Sequence, residues 1–273
     1  MTPSAVIQTK PGIGDVMWHL PFVRAIAAAS PGGKVMFLAP PTSGARELLA
    51  AEPSIAEILY FDHAGSEFNR FVNMLRLAAL LRRHRFRTVW ILDYTVRAAI
   101  AAYLARIPER IGVGLTAQRR FITNPGIAQS HYHDFPIDWL IALLAEMKVP
   151  LPSTEPDLQI PPSVLAAIGN KFAACPRPWT VLGIASSHPD KEWPDDYWRD
   201  FLPRLRALTS GTILLVGGAT QSARAQGLIA SAPGADIVNA CELKLIESTA
   251  LLHEADLFIG ANSGPLNLAA AVG

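Results

Sequence analysis

Short apolar runs alternate along the chain with stretches whose apolar residues recur at helical spacing. The first run extends from Ala5 to Thr9 and is followed by a glycine-containing turn. After the turn, apolar residues lie three or four positions apart, which predicts a strand, a turn and a helix. Strands that alternate with helices are typical of a parallel, doubly wound α/β sheet. The same pattern predicts further strands at 34–39, 55–61 and 88–92 and a helix at 70–83.

The alternation is interrupted between residues 149 and 162. Five prolines among these fourteen residues exclude a helix or a central strand, so a linker is predicted. A second α/β series follows, and two Rossmann-like domains are expected, over 1–160 (with the linker) and 161–273. The second series comprises predicted strands at 179–185, 211–216, 236–239 and 257–260 and helices at 195–208, 221–230, 245–255 and from near Pro265.

Composition and charge exclude several classes of protein. Half of the residues are hydrophobic and 17% are charged, which excludes a disordered chain. The formal net charge of +1 argues against a nucleic-acid-binding protein. Two cysteines give neither a disulfide framework nor a metal-ligand pattern, and no signal peptide or membrane span is recognised, so a cytoplasmic protein is expected.

The turn Gly12-Ile13-Gly14-Asp15 lies between a predicted strand and a predicted helix, where open α/β sheets bind their ligands. Glycines allow a ligand to approach the backbone, and a carboxylate at this place is a candidate catalytic group. The alternative is that Asp15 only caps the helix by accepting backbone N–H groups. The turn is not a dinucleotide-binding fingerprint, because that motif requires glycine at the position of Met17.

Two glycine- or hydroxyl-containing loops in the second half also follow predicted strands. The loop 186–194 carries Ser186, Ser187 and Lys191, a set that suits a phosphate group; alternatively, Lys191 is a solvated surface charge. The strand at 211–216 ends in Gly217-Gly218, where a ligand could approach the backbone, although Gln221 or Ser222 could instead simply cap the next helix.

The strand at 257–260 leads into a turn of small residues, Asn262-Ser263-Gly264-Pro265. Proline suits the first helical position because its missing N–H has no partner there in any case. The backbone N–H groups of Ser263 and Gly264 and the helix dipole form a candidate pyrophosphate site. The alternative is a structural helix with an ordinary N-cap.

A histidine pair and a basic run give weaker functional predictions. His131 and His133 form an HxH pattern, but no cysteine or acidic cluster supports a metal site, and none is predicted. The basic run 82–87 would attract anionic lipid headgroups or an acidic sugar acceptor; alternatively, it is a solvated helix end.

In this order, the motifs resemble those of the ADP-heptose:lipopolysaccharide heptosyltransferases, glycosyltransferase family 9. The opening GIGDVMWHLPFVRAI resembles the family's first turn and helix, and Leu92-Asp93 with the segment 110–114 resembles its mid-domain signature. The segment DKEWPDDYW and the final GANSGPLNLAAAVG resemble its Lys-x-Trp-Pro and C-terminal signatures. The resemblance implies a GT-B fold, in which two Rossmann-like domains face each other across a cleft.

The resemblance also implies an activity: metal-independent, inverting transfer of a heptose or similar sugar from a nucleotide diphosphate sugar, with an ADP-sugar as the first expectation. The acceptor would be a lipopolysaccharide core or related anionic glycolipid or oligosaccharide, and the cytoplasmic protein could associate peripherally with the inner face of the membrane. Asp15 would be the general base, and Lys191 would neutralise the departing diphosphate. By the same resemblance, Gly12, Gly14 and Asp93 lie on the acceptor side, and Ser187, Gly217, Gly218, Asn262, Ser263, Gly264, Pro265 and Asn267 bind the donor and its phosphates.

The chain departs from the family pattern at two positions, where Asn262 replaces an aspartate and Asn267 a histidine. An asparagine can still form hydrogen bonds but lacks the negative charge, so the identity of the donor sugar is left open. These replacements motivate the alternative hypothesis of a non-catalytic nucleotide-sugar-binding or scaffold protein. A third hypothesis is a sugar-nucleotide epimerase of similar fold. Because family members usually continue beyond the last predicted helix, the resemblance further implies a second domain that is truncated at its C-terminal end.

Overall fold

The computed structural model describes residues 4–62, 64–186, 188–233 and 236–273. The chain separates into two compact units, Met1–Pro156 and Asp157–Gly273. Each unit contains one parallel sheet with helices, as the alternation of strands and helices predicts.

The first unit contains a five-stranded sheet in the order β3-β2-β1-β4-β5, in which every pairing is parallel. The three central strands, β1, β2 and β4, are completely or largely buried because the chain crosses from one strand to the next through helices that cover the sheet, whereas the edge strands β3 and β5 are partly exposed. The strands are β1 (Ser4–Ile7), β2 (Val35–Ala39), β3 (Ile55–Tyr60), β4 (Thr88–Ile91) and β5 (Glu109–Gly112); the helices are α1 (Ile13–Ala29), α2 (Ala45–Leu48), α3 (Glu67–His84), α4 (Val96–Leu104) and α5 (Pro136–Glu146).

Helix α3 begins three residues before the predicted helix at 70–83, because Ser66 accepts a hydrogen bond from the Asn69 N–H (3.3 Å) and so caps an additional turn. On its inner face, Leu77 and Leu81 pack into the core. Helix α4 contributes four buried alanines to the same core (Ala98, Ala99, Ala101 and Ala102), and these small side chains let it approach the sheet closely.

The second unit contains a four-stranded parallel sheet in the order β8-β7-β6-β9. Its core is formed by apolar side chains of the strands together with Trp198, Leu202 and Leu228 from two helices. The strands are β6 (Trp179–Gly183), β7 (Thr212–Val216), β8 (Ile237–Asn239) and β9 (Leu257–Gly260); the helices are α6 (Pro162–Lys171), α7 (Asp195–Leu208), α8 (Ser222–Ala230), α9 (Leu245–His253) and α10 (Gly264–Val272).

The predicted linker has no regular secondary structure from residue 149 to residue 161. Pro162, included in the predicted linker, is instead the first residue of α6, a position at which proline is tolerated because no partner for its N–H is needed. The two compact units divide at Pro156, four residues before the boundary expected from the sequence.

Candidate functional site

The strand order of each sheet identifies an edge at which a ligand can bind. In the first unit, the chain moves from β1 to β2 and β3 and then returns to the other side of β1 as β4. In the second unit, β6 lies between β7 and β9 in the same way. Ligands of open α/β sheets bind in the crevice at the carboxyl ends of strands where the order reverses. A ligand-binding crevice is therefore expected at the carboxyl ends of β1 and β4 in the first unit and of β6 and β9 in the second.

A buried polar network joins the carboxyl ends of β1 and β4. The carboxylate of Asp93, which is buried, accepts a hydrogen bond from the Thr9 hydroxyl (2.5 Å) and another from the Thr95 N–H (2.7 Å). The hydroxyls of Thr9 and Thr95 are themselves 2.9 Å apart. Asp93, expected on the acceptor side, thus has its carboxylate fixed by both loops of the crevice.

Asp15 lies on the first turn of α1, in the same crevice region. The structure places Gly12 at the N-cap and Asp15 three residues later, which corrects the alternative that Asp15 is itself the N-cap. Its carboxylate nevertheless accepts a hydrogen bond from the Gly12 N–H (3.2 Å). Capping is therefore one role of this side chain. Gly14, the second residue of the helix, and Gly12 are both half-buried.

Burial raises the pKa of the Asp15 carboxyl above its ordinary value of 3.8. The Gly12 N–H and the positive charge of Lys10 lower this pKa, and the negative charge of Asp93 raises it further. A carboxylate with a raised pKa is a better proton acceptor. An added Cβ on Gly12 would lie 2.6 Å from an Asp15 carboxylate oxygen, so any side chain there would displace that oxygen.

His19 belongs to this site, although the sequence reasoning did not identify it. Its Nδ1 lies 2.9 Å from the Gln8 side-chain oxygen, and the Gln8 amide donates to the Lys10 carbonyl (3.1 Å). Burial lowers the pKa of His19 to about 4, so the ring is neutral at pH 7 and Nδ1 donates to Gln8. The sequence does indicate that His19 lies near Asp15, because residues four positions apart in a helix lie on the same face. His19 therefore supports the backbone between β1 and Asp15.

In the second unit, Lys191 lies in a short helical turn between β6 and α7. Its side chain is exposed and makes no ion pair with any residue that the structure describes. The loop that carries it is ordered by its neighbour Glu192, whose carboxylate accepts a hydrogen bond from the Ser186 N–H (2.7 Å). Ser187, expected to bind phosphate, lies outside the described residues.

Arg224, on α8, holds this loop and was not identified from the sequence. Its guanidinium donates to the carboxylates of Glu192 (3.0 Å) and Asp195 (2.7 Å). It also donates to the carbonyl oxygens of Ile184 (2.7 Å) and Trp193 (2.9 Å). One side chain thus joins the end of β6, the Lys191 loop and the first turn of α7. No sequence pattern indicates such a contact, because its partners lie 29 to 40 residues away.

The glycines after β7 have different roles. Gly218 has φ +85° and ψ 159°, a backbone conformation that is essentially restricted to glycine. A Cβ on Gly217 would lie 3.2 Å from Cβ of Gln221 and 3.3 Å from Cβ of Ala185, so this backbone is closely packed. The predicted cap by Gln221 or Ser222 is not formed. The Ser222 hydroxyl instead donates to Glu242 (2.9 Å).

Ser263 immediately precedes α10, at the carboxyl end of β9. Its Oγ is buried and has no hydrogen-bond partner among the described residues. The alternative of an ordinary N-cap is therefore wrong for its side chain, because Ser263 forms no capping hydrogen bond. The helix begins at Gly264, so Pro265 occupies the second helical position rather than the predicted first. Its missing N–H is harmless there too.

The two asparagines near this helix end, Asn262 and Asn267, lie in different environments. Asn262 is exposed. Asn267 lies on the first turn of α10, where its side-chain amide donates to the Ser263 carbonyl (2.9 Å). The carbonyl is thereby held at the helix N-terminus, while the Ser263 hydroxyl remains available.

The structure brings the candidates together in two groups, one in each unit. Asp15, Gly12, Gly14 and Asp93 lie at the carboxyl edge of the first sheet, and the described candidates for donor binding lie at that of the second. Among the described residues, no group of three or more His, Cys, Asp or Glu side chains could hold a metal ion. His131 pairs instead with Asp134 (2.7 Å). None of the described helices combines the length and apolar character needed to cross a membrane.

Comparison with known proteins identifies one family model and several solved structures that are similar to this chain. The family model "Glycosyltransferase family 9 (heptosyltransferase)" matches residues 74–273. The structure is similar to that of ADP-heptose lps heptosyltransferase II from E. coli, with 20% identity, a TM-score of 0.78 and coverage of 99% of this chain and 82% of that one. No curated protein matches the chain in sequence.

Two further solved structures have a similar fold. A glycosyl transferase family 9 protein from Veillonella parvula DSM 2008 is 18% identical, with a TM-score of 0.79 over 100% of this chain and 78% of that one. The E. coli heptosyltransferase WaaC with ADP is 19% identical, with a TM-score of 0.73 over 99% of this chain and 84% of that one.

Proposed function

Because the chain belongs to glycosyltransferase family 9, the heptosyltransferase family, we propose that it transfers a heptose or similar sugar from a nucleotide diphosphate sugar to a glycan hydroxyl. The proposed acceptor is a lipopolysaccharide core or a related anionic glycan. The proposed donor is an ADP-sugar, because the E. coli heptosyltransferase WaaC, which shares the fold, has been solved with ADP and with ADP-2-deoxy-2-fluoro heptose.

The observation that carries the donor proposal is the buried hydroxyl of Ser263 at the N-terminus of α10, which has no hydrogen-bond partner in the described part of the chain. A buried hydroxyl without a partner costs free energy, so its retention favours a role in binding. The first backbone N–H groups of a helix and its dipole stabilise phosphate oxygens. A diphosphate there would also accept a hydrogen bond from the Ser263 hydroxyl. We infer that the donor's diphosphate binds at this helix end.

In the proposed reaction, Asp15 accepts the proton of the acceptor hydroxyl as that oxygen attacks the anomeric carbon. The bond between this carbon and the diphosphate breaks, and the electron pair leaves with the phosphate oxygen. Attack from the opposite face inverts the configuration at the anomeric carbon. The raised pKa of Asp15 suits it to accept the proton, and Asp93 maintains the shape of the crevice beside it.

Lys191 is proposed to neutralise the negative charge that develops on the departing diphosphate. It is an exposed cation on a loop that Glu192 and Arg224 hold at the carboxyl end of β6. A positive charge of this kind stabilises the transition state electrostatically. The proposal therefore requires no metal ion, and activity should persist when divalent cations are chelated.

A calorimetric titration of the chain with ADP, UDP and AMP tests the donor site. The diphosphates should bind more tightly than AMP, and Ser263→Ala should weaken ADP binding about tenfold, the effect of one hydrogen bond to a charged group. Ser263→Ala should leave the melting temperature without ligand unchanged or higher, because it removes a buried group without a partner. The exposed Ser210 provides a control, and Ser210→Ala should change nothing.

Equal affinity for ADP and AMP, in the wild type and in Ser263→Ala alike, would contradict the proposed diphosphate site. A second candidate function is nucleotide-sugar binding without catalysis, which the asparagines at 262 and 267 favour. Normal ADP binding without sugar transfer, over a panel of donors and acceptors, would support that function; one productive donor and acceptor pair would exclude it.

A further inference from the structure

An open groove of about 860 Å³ lies between the second half of α3 and the end of α4, within the first unit. Its lining includes the apolar side chains of Leu75, Leu104 and Ile107. Three arginines, Arg82, Arg106 and Arg110, also line it. The side chain of Arg82 reaches across and donates to the Leu104 carbonyl (3.3 Å), which fixes a cation at the edge of the groove.

Large apolar side chains continue this surface along α3. Phe68, Phe71 and Leu75 are 74%, 54% and 43% exposed. Their spacing places them on one face of the helix. On α4, Tyr103 and Leu104 are 53% and 42% exposed beside the same groove. A contiguous exposed apolar surface of this kind marks an interaction site.

The charge of the chain is concentrated around this surface. Residues 67–110 contain nine arginines and three acidic residues, a net charge of +6, whereas the rest of the chain carries 15 basic and 20 acidic residues, a net charge of −5. Arg83, Arg85 and Arg106 form no ion pair with a described residue. Arg85 and Arg106 also have positive φ values of 53° and 60°, where glycine would be less strained.

We propose that this surface docks on a membrane that contains anionic phospholipid. We define it as the α3–α4 face, formed by the apolar side chains Phe68, Phe71, Leu75, Tyr103 and Leu104 and the basic side chains Arg82, Arg83, Arg85 and Arg106. An anionic phospholipid combines a phosphate headgroup with aliphatic chains, and the face combines cations with an apolar groove. Aromatic and basic side chains on one helical face are typical of helices that lie in a membrane interface.

Other occupants fit the face less well. In a symmetric dimer formed through this face, the four arginines of one copy would lie against the four arginines of the other and would repel them. An acidic protein would match the charge, but nothing in that charge accounts for the two exposed phenylalanines. A nucleic acid would leave the aliphatic side chains that line the groove without an apolar partner. Lipid is therefore the occupant that matches both components.

Helix α3 follows β3, so it begins near the carboxyl edge of the first sheet, where Asp15 lies, and runs towards the opposite edge. With this helix against a bilayer, Phe68 and Phe71 would meet the membrane surface near the edge that carries Asp15, and the groove and the four arginines would meet it near the opposite edge. This inference deepens the proposed function and rests on it in one respect, namely that a lipid-linked acceptor would be presented at that surface.

Vesicle co-sedimentation of the whole chain, without nucleotide sugar, tests the inference. Vesicles of phosphatidylcholine alone are compared with vesicles that contain about 30 mol % phosphatidylglycerol, a fraction chosen to give a negative surface potential. The chain should sediment with the anionic vesicles only, and salt should weaken this binding. Replacing Arg83 and Arg106 together by Gln should reduce binding about 30-fold, since each basic residue near the surface contributes about fivefold.

The double variant Phe68→Ser with Phe71→Ser should also lose vesicle binding, because it removes the side chains that enter the interface. Arg204→Gln with Leu208→Ser is the matched control, since it alters an exposed cation and an 85% exposed leucine of the second unit. This control should bind like the wild type. All three variants should retain the thermal stability of the wild type, because the altered side chains are exposed.

Equal sedimentation with both kinds of vesicle, or an equal loss in the control, would overturn the inference. So would undiminished binding by the arginine and phenylalanine variants. Transfer to a water-soluble glycan acceptor, measured separately, should be unchanged in every variant. Vesicle binding without any transfer would therefore contradict the proposed function alone, and transfer without vesicle binding would contradict the membrane face alone.

Discussion

Arg224 holds the loop that carries Lys191, and its removal should destabilise the second unit. The guanidinium donates to two carbonyl oxygens and two carboxylates, and the side chain is only 18% exposed. In Arg224→Ala, the carbonyl of the buried Ile184 loses a partner, which costs about 1–3 kcal/mol. The carboxylate of Glu192 loses its charged partner in a site where its side chain is 24% exposed.

Asp195 contributes less, because its side chain is 42% exposed and water replaces the lost contact. Together these losses should lower the free energy of unfolding by about 2–4 kcal/mol. Arg224→Lys should recover at most half of this, since a single ammonium cannot reach acceptors in four directions. Urea unfolding of the three proteins, followed by circular dichroism, measures the differences.

Arg199→Ala is the control for this prediction. Arg199 also pairs with Asp195 (3.8 Å), and with Asp196 (2.6 Å), but its side chain is 46% exposed. Its removal should change the free energy of unfolding by less than about 0.5 kcal/mol. A loss below about 1 kcal/mol in Arg224→Ala, or an equal loss in both alanine variants, would refute the reasoning that burial and four partners make Arg224 structurally important.

Two further predictions concern pH and stability in the first unit. The folded-state pKa of His19 is about 4, below its ordinary 6.5, so the unfolded chain binds more protons between these values. The free energy of unfolding, measured with urea, should therefore fall by about 2 kcal/mol from pH 7 to pH 5. His19→Gln should abolish the part of this fall that comes from His19. An unchanged dependence of the free energy of unfolding on pH in His19→Gln would contradict the prediction. The folded-state pKa of Asp15 is raised, so its charge opposes folding above that pKa. Asp15→Asn should consequently melt at the same or a higher temperature at pH 7. A markedly lower melting temperature would contradict this and would show that the hydrogen bond from the Gly12 N–H contributes more to stability than the burial of the charge costs.

The main strands were predictable because they are short apolar runs between turns, and a parallel sheet buries both faces of such runs. Helix α4 was not predicted, because every position in it except Arg97 is apolar or aromatic, which hides the helical spacing of its buried alanines at 98, 99, 101 and 102. Strand β5 was not predicted either, because only Ile111 and Gly112 of its four residues are buried. Helix α6 was not predicted either; it follows the proline-rich segment, whose last proline, Pro162, is its first residue.

Candidate site residues were predictable where they follow a strand. Asp15, Asp93 and Ser263 all lie at carboxyl ends of strands, where the reversal of strand order opens a crevice. Arg224 was not predictable, because its role depends on contacts between segments that are distant in the sequence. The free hydroxyl of Ser263 was not predictable either, since the sequence is equally compatible with an ordinary N-cap.

The role of Asp15 as the base in sugar transfer is the central claim, and the kcat for transfer from an ADP-sugar to a glycan acceptor tests it most directly. Asp15→Asn should lower kcat about 10²–10⁴-fold, the usual contribution of a general base, while its affinity for ADP stays within about twofold of the wild type. The wild-type rate should rise with pH through the raised pKa of Asp15. An unchanged kcat in Asp15→Asn, or a parallel loss of ADP binding, would contradict the account.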